Sequence, residues 1–210
     1  MAADALQVLD SAEVASAHVL GISLGGMIAQ EMALARPERV RGLVLGCTTH
    51  GGRDAHAIPE VFVHLCMSWA AEADPNASAL LDDFIGCMLP AEVAATPAGA
   101  TLVAHFKEAF QHTRRSSTGL LGQVAAMGRF NSTKRLEALG RHRTMVIAGE
   151  RDAVVPPANS ASLHARIPAA ELELRQDAGH FFWAHKPAEV SSLLAAFLER
   201  CDEDGPPEDR

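Results

Sequence analysis

Three side chains that are far apart in the chain, Ser23, Asp152 and His180, have the types needed to make a hydroxyl group nucleophilic. A serine hydroxyl is a weak nucleophile at neutral pH, so it needs a base that takes its proton and an acid that orients that base. Histidine and aspartate supply those functions, and the chain order serine, aspartate, histidine is one of the known orders for such a triad. The sequence therefore predicts acyl-transfer chemistry at Ser23.

Ser23 is the centre of the pentapeptide Gly21-Ile22-Ser23-Leu24-Gly25. An apolar run precedes this pentapeptide and a helical pattern follows it, which is the context of the sharp turn called the nucleophile elbow. Such a turn strains the serine backbone, and we expect Gly21 and Gly25 to provide the small neighbours that it requires. The turn also directs the first helical amides toward a developing anion. The alternative is a glycine-rich turn that contains a serine by chance.

Asp152 and His180 each follow a segment that reads as a buried strand, 145–149 and 171–175 respectively. In a parallel sheet the carboxyl ends of the strands meet at one edge, where ligands of open α/β sheets bind. We therefore expect both side chains to lie near Ser23. Asp177 is the alternative acid, although capping of its own loop is the simpler interpretation, and His185 is the alternative base.

The alternation of strand and helix patterns predicts an α/β fold with a mostly parallel sheet of about four strands. The expected core comprises residues 1–51 and 136–200, with helices inserted at 52–135 and a disordered acidic tail at 201–210. The first helix is expected from Ala3 to Ala15, with Leu6, Leu9 and Val14 facing inward, and the last from Pro187 to Glu199. The expected strands cover residues 18–22, 39–46, 145–149 and 171–175.

The insert carries large apolar side chains that either line an acyl pocket or pack its helices together. These residues are Phe62, Met67, Trp69, Phe84, Met88, Phe106 and Phe110. Arg114 and Arg115 could hold a substrate carboxylate, but a solvated helix end is the simpler interpretation. Asp82 and Asp83 fit a solvated helix face.

Composition excludes several classes of protein. The 210 residues are 48% hydrophobic and 21% charged, as expected for one globular domain. The net charge of -8 argues against a nucleic-acid partner. No segment reads as a membrane span or signal peptide, and the four cysteines are widely spaced, so a reducing, cytoplasmic setting is expected unless a targeting segment precedes Met1. No histidine spacing indicates a metal, and no phosphate-binding loop indicates a nucleotide cofactor.

The sequence resembles α/β-hydrolase-fold enzymes, especially the capped esterases, lactonases and haloperoxidase-like proteins, and the 3-oxoadipate enol-lactonases look most similar. The resemblance rests on residues 17–30, 36–40, 43–45, 145–152, 155–157 and 179–181. It implies Ser23 as nucleophile, Asp152 as acid and His180 as base. It also implies that the Leu24 backbone amide forms half of the oxyanion hole and that the insert is a lid. The implied substrate is a small ester, lactone or thioester, with acyl transfer or perhydrolysis as alternatives.

The chain departs from that family at its start. In the family, several strands and a His-Gly loop that supplies a second oxyanion amide precede the nucleophile, whereas Ser23 lies near the first residue here. Loss of one oxyanion donor typically costs about 100- to 1000-fold in turnover. We therefore interpret the chain as an incomplete hydrolase, with a catalytically inactive fragment as the alternative to an active enzyme. Residues 18–22 are expected to form an exposed apolar edge that favours self-association.

Overall fold

The computed structural model describes residues 1–71, 78–112 and 116–203. The expectations for Arg114 and Arg115 and for most of the acidic tail, residues 204–210, lie outside the described residues. The side chain of His185 is also outside this description.

A parallel sheet of four strands, in the order β1-β2-β3-β4, forms the centre of the described chain. The strands are β1 (Ala17–Ile22), β2 (Val40–Gly46), β3 (Arg143–Gly149) and β4 (Glu171–Arg175). The apolar runs of β2 and β3 are buried on both faces, as is typical of strands that helices cover on both sides. The predicted α/β class and its parallel sheet are confirmed.

Helices connect these strands and cover both faces of the sheet. The described residues contain ten α-helices: α1 (Ala2–Ser11), α2 (Leu24–Ala35), α3 (Glu60–Ala71), α4 (Ser78–Met88), α5 (Ala91–Ala94), α6 (Pro97–His112), α7 (Ser117–Arg129), α8 (Ala158–Arg166), α9 (Phe182–His185) and α10 (Pro187–Glu203). Short 3₁₀ helices lie at Pro37–Arg39 and Thr133–Arg141. Helices α1, α2 and α8 pack on one face of the sheet, and α10 packs on the other.

Helix α1 is shorter than the sequence pattern predicts. Leu6 and Leu9 pack against the core, as expected. Helix α1 ends at Ser11, so Val14 lies beyond it and is 37% exposed. The prediction that Val14 faces inward is wrong, because apolar spacing alone does not locate the end of a helix that has no glycine or proline stop signal.

Helix α10 extends beyond the predicted end at Glu199 to Glu203. Cys201 is fully buried against the sheet, and its Sγ lies over Gly42, where a Cβ would come within 2.6 Å of the sulfur. Asp202 accepts a hydrogen bond of 2.8 Å from His18 Nε2 and pairs with Arg41. Residues 201–203 therefore form the end of α10 rather than a disordered tail, and Cys201 packs in the core.

The five helices α3 to α7 follow β2 and precede β3, where the sequence predicts an insert. Trp69, Phe84 and Phe110 pack on one another with ring centroids 4.6 to 5.8 Å apart, so these aromatic side chains hold the insert together. Met67 is exposed, and Asp82 and Asp83 lie on a solvated helix face. Phe106 instead contacts Phe181, the residue after His180, at 4.3 Å between ring centroids.

Candidate active site

Ser23 occupies the turn between β1 and α2 with a φ of 56° and a ψ of -121°. A positive φ is uncommon for residues with a Cβ and marks a strained position. The Ser23 amide donates to the Gly46 carbonyl at 2.8 Å, and the Thr48 hydroxyl donates to the Ser23 carbonyl at 2.7 Å. These bonds from β2 and the residues after it hold the turn in its strained form.

The glycines around Ser23 are not equally constrained. A Cβ on Gly21 would lie 2.2 Å from the Gly25 carbonyl oxygen, so this position has no room for a larger side chain. A Cβ on Gly25 would meet no atom within 4 Å, so the steric role predicted for Gly25 is wrong. Gly26 is instead the glycine that packs closely against another segment, because a Cβ on Gly26 would lie 2.6 Å from the Thr48 side chain. The adjacent Gly25-Gly26 pair was the only sequence signal for this position.

The Leu24 backbone amide is the first amide of α2. In the described part of the chain it donates to no protein acceptor, whereas the amides of Gly26 and Met27, two and three residues further along, donate to the Ser23 carbonyl. The free amides at a helix N-terminus favour a negative charge. The Leu24 N–H is therefore placed beside Ser23 as a donor without a competing partner.

Asp152 and His180 form a buried pair, 7% and 4% exposed. His180 Nδ1 donates to Asp152 Oδ2 at 2.8 Å, and Asp152 Oδ1 accepts the Val154 and Val155 amides, each at 2.8 Å. These bonds fix the carboxylate and leave Nε2 of the imidazole for other contacts. Asp177, the alternative acid, is exposed and is not the partner of His180.

Ser23, Asp152 and His180 follow β1, β3 and β4 respectively, so all three lie at the carboxyl edge of the sheet. In the described residues no hydrogen bond joins the Ser23 hydroxyl to His180. Catalytic hydrogen bonds are often long in enzymes without substrate and shorten in the complex. The arrangement can serve proton transfer once a substrate brings Ser23 and His180 into contact.

Backbone contacts from two sides hold the His180 loop, and the sequence did not reveal them. A Cβ on Gly149 at the end of β3 would lie 2.2 Å from the Ala178 carbonyl oxygen. On the insert side, the Phe181 amide donates to the Met88 carbonyl at 3.0 Å, and a Cβ on Gly179 would lie 2.8 Å from that same oxygen. The helical insert therefore contacts the histidine loop directly.

Cys47, which follows β2, lies behind the acid and was also missed. Its Sγ belongs to a group in which the ligand atoms of Cys47, Asp152 and His180 all lie within 4.8 Å of one another. Burial, followed by the charge of Asp152, raises the pKa of the Cys47 thiol well above its usual value. These are the described residues that could hold a metal ion, although the hydrogen bond between His180 and Asp152 already accounts for their spacing.

His50 anchors the segment that leads into the insert. Its Nδ1 contacts the Gly51 carbonyl at 2.9 Å and Thr133 Oγ1 at 3.0 Å, and its Nε2 contacts Ser162 Oγ at 2.9 Å. Burial lowers the pKa of His50. The Ser132 amide also donates to the His50 carbonyl at 2.9 Å, so both ends of the insert meet at this residue.

A cavity of about 500 Å³ lies between α2 and the insert. Its wall is mainly apolar, with Arg53 and His56 as its longer polar side chains. Met27 on the wall is one helical turn after Ser23, whereas Ser23, Asp152 and His180 do not line the cavity. Of the residues predicted to line a pocket, Phe62 lies on this wall. The apolar residues of the wall include Met27, Ile58, Phe62, Val124 and Phe130.

A sequence profile of the α/β-hydrolase fold matches residues 1–187. The chain belongs to the α/β-hydrolase family. This α/β hydrolase is 30% identical over 212 residues to the RutD carbamate hydrolase of Azorhizobium caulinodans, across 97% of this chain and 74% of that relative. It is also 30% identical over 206 residues to the 2-hydroxymuconate semialdehyde hydrolase of Pseudomonas sp. CF600, across 94% of this chain and 67% of that relative.

Solved structures agree with this assignment. A hydrolase from Pseudomonas aeruginosa superposes with a TM-score of 0.76 at 29% identity, covering 94% of this chain and 70% of that one. The enol-lactonase of Burkholderia xenovorans LB400 shares the fold with a TM-score of 0.80 at 21% identity, covering 94% of this chain and 71% of that one. The predicted family and the enzyme class are confirmed. Among the described helices, none is both long and apolar enough to cross a membrane.

Proposed function

We propose that this α/β hydrolase cleaves a small ester, lactone or thioester through an acyl-enzyme on Ser23. The observation that carries the proposal is the strained turn at Ser23, at the same edge of the sheet as the buried His180–Asp152 pair. A strained serine persists only when the surrounding structure enforces it, and such positions cluster at functional sites.

In the first half of the reaction, Ser23 Oγ attacks the substrate carbonyl carbon while His180 Nε2 takes the hydroxyl proton. Asp152 holds the imidazole through Nδ1–H and stabilises its cationic form. The Leu24 amide donates to the oxyanion of the tetrahedral intermediate. The bond to the leaving group then breaks, and His180 returns the proton to the departing alcohol, enol or thiol.

In the second half, water attacks the acyl-enzyme carbonyl and gives a proton to His180. Collapse of the intermediate releases the acid and returns the proton to Ser23. An alcohol or a peroxide can attack the same acyl-enzyme, so acyl transfer and perhydrolysis are second candidates on the same residues. Water as the acceptor is favoured because the relatives described above are named hydrolases.

The cavity beside Met27 suits the apolar part of the substrate that is remote from the bond to be cleaved. Its wall reaches Met27, on the first turn of α2 after the Ser23 elbow, and apolar pockets of this size bind most of a small ligand. Arg53 and His56 at the wall would contact a polar substituent of that part.

The test is labelling of the purified chain with a fluorophosphonate, which reacts with activated serines. We expect labelling that Ser23→Ala and heat denaturation abolish. Asp152→Asn should slow labelling by about 10⁴-fold, because the amide holds the wrong histidine tautomer, whereas Asp177→Asn should not change the rate. Labelling that persists in Ser23→Ala would disprove the proposal.

A catalytically inactive fragment remains the second candidate function. A folded sample that no fluorophosphonate labels would favour this candidate over the hydrolase.

We also infer that β1, whose outer edge has no strand partner in the described residues, pairs with a second copy of the chain.

A further inference from the structure

Gln30 is a completely buried polar residue on α2, the helix that follows Ser23. A buried carboxamide destabilises a folded chain unless its donors and its acceptor have partners. Gln30 Nε2 donates to the Gly26 carbonyl at 3.2 Å and to the Thr49 carbonyl at 3.1 Å. Gln30 Oε1 accepts a hydrogen bond of 2.7 Å from the Ser132 hydroxyl. One side chain therefore bonds α2 to two segments that are distant from it in sequence.

These two segments are the two ends of the helical insert. Thr49 lies between β2 and α3, and Ser132 lies shortly after the end of α7. The two ends also pair with each other, through an antiparallel bridge between Gly51 and Asn131. The bonds from Gln30 thus hold both ends of the insert, as one unit, against the helix that follows the nucleophile.

The same two ends form part of the wall of the 500 Å³ cavity. Thr49 and Gly51 line the cavity from the first end, and Phe130 lines it from the second. On the opposite side, the wall includes Met27, which lies on α2 one helical turn before Gln30. The width of the cavity therefore depends on the distance that Gln30 sets between α2 and the ends of the insert.

The bonds from Gln30 differ from the apolar contacts of its own helix. Met32 of α2 packs in the core cluster on the face of the sheet, together with residues of β2 and β3. Its contacts are lost only when the sheet itself unfolds. The bonds from Gln30 to Thr49 and Ser132 are lost as soon as the insert separates from α2, so they oppose a local opening that Met32 does not affect.

We propose that Gln30 is a positioning residue that fastens both ends of the insert to α2 and so sets the width of the cavity for the acyl group. The assignment of the cavity to the acyl group rests on the proposed function. The fastening of the insert is independent of any substrate.

The experiment is hydrogen–deuterium exchange of the full chain, measured on peptides by mass spectrometry, for the unsubstituted protein and its variants. Gln30→Met keeps the length of the side chain but removes its hydrogen bonds, so the amides of α3 and α7 should exchange at least about tenfold faster. Met32→Ala is the matched control on the same helix. It should speed exchange in β2 and β3 and leave exchange in α3 and α7 unchanged.

Unchanged exchange of α3 and α7 in Gln30→Met overturns the proposal. An equal acceleration of these helices by Met32→Ala also overturns it, because Gln30 would then only stabilise the core. If Gln30→Met does not fold, Ser132→Ala decides in its place, since it removes the bond to Gln30 Oε1. Exchange in α7 should then be faster than in the unsubstituted chain, and an unchanged rate overturns the proposal.

A second readout measures the effect on the cavity. Gln30→Met should lower kcat/KM for a long-chain nitrophenyl ester about tenfold more than for the acetate, whereas Met32→Ala should keep the ratio of the two unchanged. Faster exchange of the insert with an unchanged ratio overturns the claim that Gln30 sets the width of the cavity. Hydrogen exchange requires no catalysis, so it tests the fastening of the insert even where Ser23 proves inactive.

Discussion

At the scale of single residues, the glycines beside Ser23 provide the sharpest test of the elbow. Gly26→Ala should lower the free energy of unfolding by about 1 to 3 kcal/mol, because its Cβ would overlap Thr48, which itself bonds to the Ser23 carbonyl. Gly25→Ala should be neutral or add about 0.5 to 1 kcal/mol, since it places alanine in a helix with open space around the Cβ. Urea unfolding of both variants measures the difference, and equal losses would contradict it.

The same scale shows what sequence patterns can predict about a site. The sequence predicts Ser23, Asp152, His180 and Gly21 as site residues because each follows from a local motif or from the end of a predicted strand. Cys47, Gly26 and Gly149 were not predicted, because their contacts are with segments distant in sequence. Thr48 packs against Gly26 of α2, for example, and the Ala178 carbonyl packs against Gly149 of β3. Spacing locates groups on one element, whereas close approach between elements appears only in the folded chain.

At the scale of elements, the insert and the core meet at His50, and this contact should make stability depend on pH. Burial lowers the pKa of His50 in the folded state, so the unfolded chain binds the extra proton first. The contribution of His50 to the free energy of unfolding should therefore be largest above the pKa of histidine in the unfolded chain, about 6.5. It should decline as pH falls toward the pKa of His50 in the folded chain. The other titratable groups near His50 are Arg166, Asp54 and His56.

His50→Gln removes this titration while keeping a polar side chain. Urea unfolding between about pH 7.5 and pH 5 should show a smaller loss of stability in His50→Gln than in the unsubstituted chain. His56→Gln, at an exposed histidine nearby, should keep the original pH dependence. An equal slope in all three proteins would mean that His50 does not couple pH to folding.

The wall of the cavity offers a matched pair of sites on one helix. Gly128 and Gly122 both lie on α7, and a Cβ on either would meet no atom within 4 Å, but only Gly128 lines the cavity. Gly128→Phe should lower kcat/KM for a long-chain nitrophenyl ester on the order of tenfold, with little effect on the acetate, because the ring occupies space for the acyl chain. Gly122→Phe is the control, and an equal loss for both esters in Gly128→Phe would exclude the cavity as the acyl site.

The ends of helices were harder to predict than the strands. The ends of the strands were located to within two residues, because each strand is a short apolar run between clear breaks. The end of α10 was misplaced because its last residues are polar apart from Cys201, yet Gly42, His18 and Arg41 bind them. Tertiary partners, not the pattern of α10 itself, continue that helix.

At the scale of the whole molecule, β1 leaves one edge of the sheet open in the described residues. Its Leu20 is 45% exposed, and the outer backbone groups of the strand face away from β2. A second copy presents the identical edge, so a two-fold axis would pair the two β1 strands antiparallel and continue the sheet through both molecules. This is why we expect self-association to depend on β1 rather than on the helical faces.

Leu20→Lys should therefore raise the dimer dissociation constant at least about tenfold, because a lysine on an edge strand resists pairing with another strand. Leu121→Lys makes the same change at a leucine of α7 that is 41% exposed, and it should leave the association unchanged. Sedimentation equilibrium over a range of concentrations measures all three proteins. A monomer at every concentration, or equal weakening by both substitutions, would show that β1 is not the contact. If the chain does associate through β1, the rate of Ser23 labelling across the same concentrations will show whether pairing of β1 also supports the elbow that follows it.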